Sequence, residues 1–250
     1  MNKQLTFIIC YRHNIERLKN LKRTLDWMNS FSNCEIILVE QDKTPKVSHL
    51  NLPCKYIFIK TNLPFNKSWG FNVGLKYASS DVITFTDSDL IMNQENFIKA
   101  LNMLSENDMV NPYTSVIDLT PQETNMNINN ILKIDRPGRG ENDHQKVPLC
   151  GGTCIFRKEA IAKIGGWNED FIGWGAEDDE LSIRVKKYLK WTELKGSCYH
   201  LYHSRPAPDP TNYNRNLTLL NKISTLTDQQ TQSMIQKMTT KSGMKNKYDN

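Results

Sequence analysis

The chain has no long apolar run. The longest, such as Leu5 to Cys10 and Ile36 to Val39, fall far short of the ~20 residues that span a bilayer. No positively charged segment followed by an apolar stretch opens it, which predicts a soluble, cytoplasmic protein without a secretory signal. Glycine and proline are sparse, 12 and 10 of 250 residues, and no internal repeat is visible, which excludes a collagen-like chain. An apolar share of 38% excludes a disordered one. Six cysteines are too few and too scattered for a disulfide miniprotein. Cys150 and Cys154 have a possible ligand spacing, but no second close pair completes a zinc site, so inert or buried thiols in a reducing compartment are expected. One-sided charge is missing too: 32 basic against 27 acidic residues leave +5. That mild excess suits anionic small molecules or an acidic membrane surface. Without a basic helix or basic–aromatic alternation, it argues against nucleic acid. Part of the excess lies in residues 206–250, with six basic and three acidic side chains, a stretch able to sit peripherally against an anionic membrane or to remain a solvated end.

What is present reads as one α/β domain with a small appendage. Leu5–Cys10, Glu35–Val39, Tyr56–Ile59 and Val82–Phe85 have the apolar density of buried strands. Ile15, Leu18, Leu21, Leu25 and Met28 recur every three or four residues and define one face of a helix. Further helices are predicted over Ser68–Tyr77, around Phe97–Leu104, over Lys158–Ile164 and over Asp178–Leu189. Strands alternating with helices imply a mostly parallel sheet covered on both faces. From Tyr113 to Val147 the pattern dissolves into Asn, Thr, Pro, Gly and charge, as in a functional lid, an acceptor loop or a poorly ordered segment. Beyond Pro206, Leu217, Leu219, Leu220 and Ile223 suggest a packing helix, and Lys241–Asn250 a frayed end.

Three constellations carry chemistry. Asp87-Ser88-Asp89 follows directly on the strand Val82–Phe85, and ligands collect at the carboxyl ends of strands in open parallel sheets. Two carboxylates there suit Mg²⁺ or Mn²⁺ holding a diphosphate; the alternative is a solvated turn. Gly165 to Glu180 gathers glycines and two tryptophans, Trp167 and Trp174, ahead of the consecutive acids Glu177, Asp178, Asp179 and Glu180. Tryptophan offers a flat apolar face for a sugar. Crowded carboxylates repel, which raises a pKa and favours a general base. The plainer reading is an acidic helix start beside packing aromatics. His200 and His203 follow an apparent strand, as metal ligands joining the Asp pair or as ordinary hydrogen-bonded histidines.

Together these residues resemble a glycosyltransferase of the GT-A fold, in the group joining β-1,4-galactosyltransferases, chondroitin-type polymerases and polypeptide N-acetylgalactosaminyltransferases. The resemblance runs from about Leu5 to Arg205, family 2-like at first and galactosyltransferase-like from Gly151-Gly152 to Glu180 and on to His203-Ser204-Arg205. It implies a catalytic domain over 1–205, with a nucleotide-binding half to about 112 and a catalytic half from about 148, followed by a polar extension over 206–250 of one or two helices and a frayed tail. It implies Asp89, His203 and Asp87 as ligands of Mn²⁺ (or Mg²⁺) and Asp178 as catalytic base. Arg12, Glu40, Asn66, Lys67, Asp87, Ser88, Gly151, Gly152, Trp174 and Glu177 would bind the nucleotide-sugar. Asp179 and Trp174 would meet the acceptor. Phe65-Asn66-Lys67 resembles the family's Phe-Asn-Arg near the diphosphate, whereas the family's Pro-Phe-Arg-x-Arg motif is altered at Cys10 and Asn14.

The implied reaction is an inverting transfer of a hexose or N-acetylhexosamine from a UDP-sugar to a glycan, lipid-linked or surface-polysaccharide acceptor. Leu149 stands where the galactosyltransferases carry tyrosine, which leaves room for an N-acetyl group, so UDP-galactose and UDP-N-acetylgalactosamine lead. Three alternatives stay open: a nucleotide-sugar-binding protein without turnover, a retaining transferase of the polypeptide type, and a sugar-phosphate nucleotidyltransferase. The last is disfavoured because Ile9-Cys10-Tyr11-Arg12-His13 holds no glycine.

Overall fold

The computed structural model describes residues 4–141, 147–204 and 209–247. Four parallel strands lead: β1 (Leu5–Tyr11), β2 (Cys34–Asp42), β3 (Lys55–Lys60) and β4 (Val82–Thr86). Three more, β6 (Met109–Asn111), β8 (Thr153–Arg157) and β9 (Trp191–Glu193), complete a sheet of order β3-β2-β1-β4-β8-β6-β9. Within it β8 alone runs against its neighbours. A second sheet sets β10 (Ser197–His200) between β5 (Leu90–Met92) and β7 (Ser115–Asp118).

The strand pleat sorts β1 between two cores. Phe7, Ile9 and Tyr11 face α1 (Ile15–Asn29) and α3 (Gln94–Met103), where Leu21, Leu25, Trp27 and Phe97 close the layer. Ile8 and Cys10 face α2 (Lys67–Tyr77), α6 (Lys158–Lys163) and α7 (Glu177–Tyr188) through Trp69, Phe71, Ile161, Leu181 and Val185. This is the expected α/β arrangement of a mostly parallel sheet with helices on both faces. Helix α2 lies unusually close to β1: a Cβ on Gly74 would come within 2.3 Å of the Ile8 side chain. Asn14 starts α1 by accepting from the amides of Glu16 and Arg17.

The stretch expected to be irregular is built of small pieces. It holds β7, α4 (Pro121–Thr124) and α5 (Ile128–Ile131), and Arg136 ties back to Glu123 at 2.5 Å. Four-residue elements are too short to show a hydrophobic period. The C-terminal extension forms two helices, α8 (Pro210–Ser224) and α9 (Asp228–Lys241). Phe171, Ala176 and Ile223 share a small cluster with Leu217, Leu220 and Met234 on these helices. The end beyond α9 is docked through Lys247, a correction to the expected fraying from Lys241. The Gly243 amide donates to Glu169 Oε1 at 2.6 Å, Lys247 meets Glu169 Oε2 at 2.8 Å, and Trp69 Nε1 donates to Met244 O at 2.7 Å. Glu169 is buried, and a buried carboxylate demands such partners; Lys247 supplies its counter-charge from the basic tail. The boundary placed at 205/206 and the Arg205 of His-Ser-Arg lie outside the described residues. All six cysteines are free, Cys10, Cys150, Cys154 and Cys198 being buried. Among the described residues, no helix is long and apolar enough to cross a membrane.

Candidate active site

At the end of β4 the chain turns through Asp87, whose amide donates to Gly152 O at 3.0 Å. Asp89 follows at the mouth of β5, and the antiparallel pairing of β5 with β10 sets His200 opposite Leu90. The Leu201 amide then donates to Asp89 O at 2.8 Å, and the next turn returns His203. His203 Nε2 lies 3.2 Å from Asp89 Oδ2 and His200 Nε2 lies 3.7 Å from Asp89 Oδ1. Ligand atoms of Asp89, His200 and His203 fall within 4.8 Å of one another. Each imidazole engages its other nitrogen elsewhere: His203 Nδ1 with Ser204 O at 2.8 Å, His200 Nδ1 with Asp118 Oδ1 at 3.1 Å. A buried carboxylate with two Nε2 atoms turned to one side fits a divalent first-row cation. Burial pushes the Asp89 carboxyl up, but the bond from His203 and the charge of both histidines hold it below the usual range. The same bond raises His203.

The second half of the site is the start of α7. Gly173 and Gly175 take φ of +81° and +103°, and Ala176, the residue before the helix, takes +72°, a left-handed conformation that an alanine adopts at a cost. The turn delivers Glu177, Asp178, Asp179 and Glu180 to the first helical turn, where the helix dipole favours negative charge. Glu180 is locked away in a fully buried fork with Arg184, with bonds of 2.7 and 2.6 Å. Glu177 and Asp178 turn the other way. Lys67 Nζ reaches Asp178 Oδ1 at 2.9 Å, Glu177 Oε1 at 3.1 Å and Asp87 Oδ1 at 3.7 Å. Glu177 Oε2 is buried without a hydrogen-bond partner among the described residues. Burial pushes the Asp178 carboxyl up to about 7, with Glu177 and Asp87 adding and Lys67 opposing. Burial and the neighbouring Asp89 and Glu177 likewise raise Asp87 against the pull of Lys67.

The remaining predicted residues divide. Gly151 and Gly152 lie beside the Asp87 turn, with the Tyr113 hydroxyl donating to Gly151 O at 2.6 Å. Ser88 is buried and its carbonyl accepts from Thr24. Trp174 stands 65% exposed against Tyr213, ring centres 5.6 Å apart, and Asp179 is exposed on the same helix start. Arg12 instead spans two carbonyls, Gln41 O at 2.8 Å and Leu63 O at 2.9 Å. Asn66 caps α2 and donates to Glu169 O. Glu40 is fully buried and accepts from the amides of Lys46 and Val47 and from the Tyr56 hydroxyl. These three hold loops in place. Asp87 lies with Lys67 rather than in the Asp89–His200–His203 group. The sequence pattern offered His200 beside His203 as a ligand, whereas the ligand set implied by the resemblance left it out; Tyr213, in polar surroundings, gave no signal.

Comparison with known proteins gives the family and the fold. Glycosyl transferase family 2 matches residues 6–165, and the N-terminal domain of galactosyltransferase matches residues 144–204. A segment of 78 residues is 31% identical to β-1,4-galactosyltransferase 4 of Mus musculus and of Rattus norvegicus, covering 30% of this chain and 22% of each relative. The match thus spans less than a quarter of those proteins. Among solved structures, the catalytic domain of Drosophila β1,4-galactosyltransferase 7 with xylobiose superposes with a TM-score of 0.57 at 18% identity, over 90% of this chain and 82% of that one. A mutant of that enzyme with manganese, UDP-Gal and xylobiose gives 0.50 at 18%, over 76% and 64%. A mannosyltransferase of Pyrobaculum calidifontis with GDP-Man and Mn²⁺ gives 0.54 at 15%, over 82% and 59%. The structures share the fold; the sequence match, over well more than half the length, places this chain in glycosyl transferase family 2.

Proposed function

We propose that the protein is a metal-dependent, inverting glycosyltransferase. It moves a hexose or N-acetylhexosamine, galactose or N-acetylgalactosamine foremost, from a UDP-sugar to a hydroxyl of a glycan acceptor. The observation that carries this reading is Lys67. Its ammonium lies within 3.7 Å of Asp87 at the end of β4 and of Glu177 and Asp178 at the start of α7, so the D-x-D turn and the acidic helix belong to one site. Compared structures that contain Mn²⁺ with UDP-Gal or GDP-Man support it.

Asp89, His200 and His203 would hold Mn²⁺ (or Mg²⁺), which neutralises charge growing on the departing diphosphate. The chain's own side chains do the rest. Lys67, 3.7 Å from Asp87 at the D-x-D turn, is the cation placed to meet diphosphate oxygens. Asp178, its carboxyl at about 7, accepts the proton of the acceptor hydroxyl. That oxygen bonds to the anomeric carbon as the carbon–diphosphate bond breaks with its electron pair leaving on the diphosphate, so configuration inverts. Trp174, exposed, and the half-buried Tyr213 beside it offer a stacking face for a pyranose.

UDP release from UDP-galactose, UDP-N-acetylgalactosamine, UDP-glucose and UDP-N-acetylglucosamine, with and without Mn²⁺, tests the reading. Metal-dependent release from one donor is expected, with Asp178→Asn abolishing transfer while retaining UDP binding. No binding of any UDP-sugar by folded protein would refute it, and an α-linked product from an α-linked donor would refute inversion.

A further inference from the structure

Resting on the metal reading above, we propose that Asp118, gripped by Arg139, is a positioning residue that holds the His200 ring with Nε2 presented beside Asp89. The parallel register of β7 and β10 pairs Asp118 directly with His200, and the Leu119 amide donates to His200 O at 3.0 Å. The two side chains meet at 3.1 Å between Asp118 Oδ1 and His200 Nδ1, which leaves Nε2 on the Asp89 side at 3.7 Å. A carboxylate on the distal nitrogen of a ligating imidazole fixes the tautomer and the ring angle.

Asp118 is 41% exposed, so water competes for its oxygens and a lone carboxylate would hold the ring loosely. Arg139 restricts that freedom. Its Nε reaches Asp118 Oδ2 at 2.7 Å and its terminal nitrogen reaches Oδ1 at 3.2 Å, a two-point grip that sets the carboxylate plane. Arg139 is itself anchored, exchanging backbone bonds with Val116 at 2.9 and 2.8 Å. Its neighbour Gly138 passes so near that a Cβ would come within 2.6 Å of Val116 O. Arg136 bonds the Asp118 carbonyl at 2.8 Å and forks onto Glu123. The segment after β7 thus forms a brace behind His200, matching the simpler brace that the Ser204 carbonyl gives His203.

The test is Mn²⁺ affinity of the full chain in the presence of UDP, read from the paramagnetic resonance of free Mn²⁺. Asp118→Ala is expected to weaken binding about 10- to 100-fold. Asp118→Asn should lose less, because an amide oxygen still accepts from Nδ1–H. Glu123→Ala, which loosens the same segment without touching the carboxylate, should bind as wild type. Nitrogen NMR of the metal-free protein supplies a readout that general destabilisation would not move: His200 is expected as the Nδ1–H tautomer, becoming mixed in Asp118→Ala. If Asp118→Ala fails to fold, Asp118→Asn and the wild-type tautomer decide the matter. Wild-type affinity in a folded Asp118→Ala, equal weakening in Glu123→Ala, or an Nε2–H tautomer in wild type each overturns the inference alone. Failure of the wild type to bind Mn²⁺ overturns the metal reading and the inference with it.

Discussion

Lys67→Met removes the ammonium shared by Asp178, Glu177 and Asp87 while keeping an unbranched stem over the Phe71 and Trp167 rings, whose centres lie 6.0 and 5.7 Å from Nζ. At the 2.9 Å separation from Asp178 and an effective dielectric near 20, the gross attraction is about 6 kcal/mol. Desolvation of the ammonium and relaxation of the site offset part of it. If half survives as a preference for the ionised carboxylate, the shift is about two pH units. The sign follows from the role of a base, which works ionised: turnover is present above its pKa and lost as pH falls through it. In the wild type the acid limb of kcat/KM is therefore expected near pH 7, where burial sets Asp178. In Lys67→Met it should move upward by about two units, with a lower plateau as well. The assay is UDP release in saturating Mn²⁺ with acceptor from pH 5.5 to 9.5, folding being checked by circular dichroism. An acid limb that stays in place or moves down would show that Lys67 does not hold Asp178 ionised.

Asp178→Asn carries the matching stability signature. A carboxyl raised from 3.8 to about 7 on folding destabilises the native state above pH 7 and no longer does so below about pH 4. The thermal advantage of Asp178→Asn over wild type should therefore grow between pH 5 and pH 8, by several degrees at about 2–4 °C per kcal/mol for a chain of this size, and an advantage that did not change would contradict it. Glu180→Ala strands the fully buried Arg184 guanidinium and should cost about 3–5 kcal/mol in urea unfolding; Glu180→Leu with Arg184→Met should cost less than the single change. Tyr213→Ala and Trp174→Ala should each raise the acceptor KM, up to about tenfold for a stacking contact of ~1 kcal/mol or slightly more. Donor hydrolysis without acceptor should stay unchanged, and an equal rise in donor KM would move the pair to the donor side.

The parts of the molecule readable in advance are those where burial is periodic. The four leading strands each carry an apolar run that packs against covered faces of the sheet, and α1 repeats its apolar face over four turns. Elements too short to show a period left no such trace: β7, α4 and α5 are four residues each, and β5 and β9 three. Their signal was local chemistry. Thr120 and Glu123 form a capping box at α4, and Thr227 and Gln230 another at α9, both visible as spacings that hydrophobic pattern cannot register. The docked tail left less, since nothing around Glu169 announced that it would be buried.

The site divides along the same line. Aspartates at a strand end, acids at a helix start and histidines after a strand could be picked out as chemical types, because elements bring their ends to predictable places. Which of them meet could not. Lys67 and Asp178 are 111 residues apart, and their contact depends on how closely α2 lies against β1, which rests on two glycines within the helix, Gly70 and Gly74. By residue pattern alone His200 and His203 were equivalent, and the resemblance singled out His203; the structure sets His200 against Asp118 in the β10 register and His203 beside Asp89 and Ser204 O. The sequence reading placed Lys67 near a diphosphate and gave no sign of its carboxylate partners. In the structure Lys67 is held by Asp178 and Glu177, and under the proposed function a donor diphosphate would compete with Asp178 for it. Under the proposed function that competition would couple donor binding to the ionisation of Asp178: the carboxyl would lose its counter-ion as the diphosphate took the ammonium, and would become a stronger base as the sugar came into place.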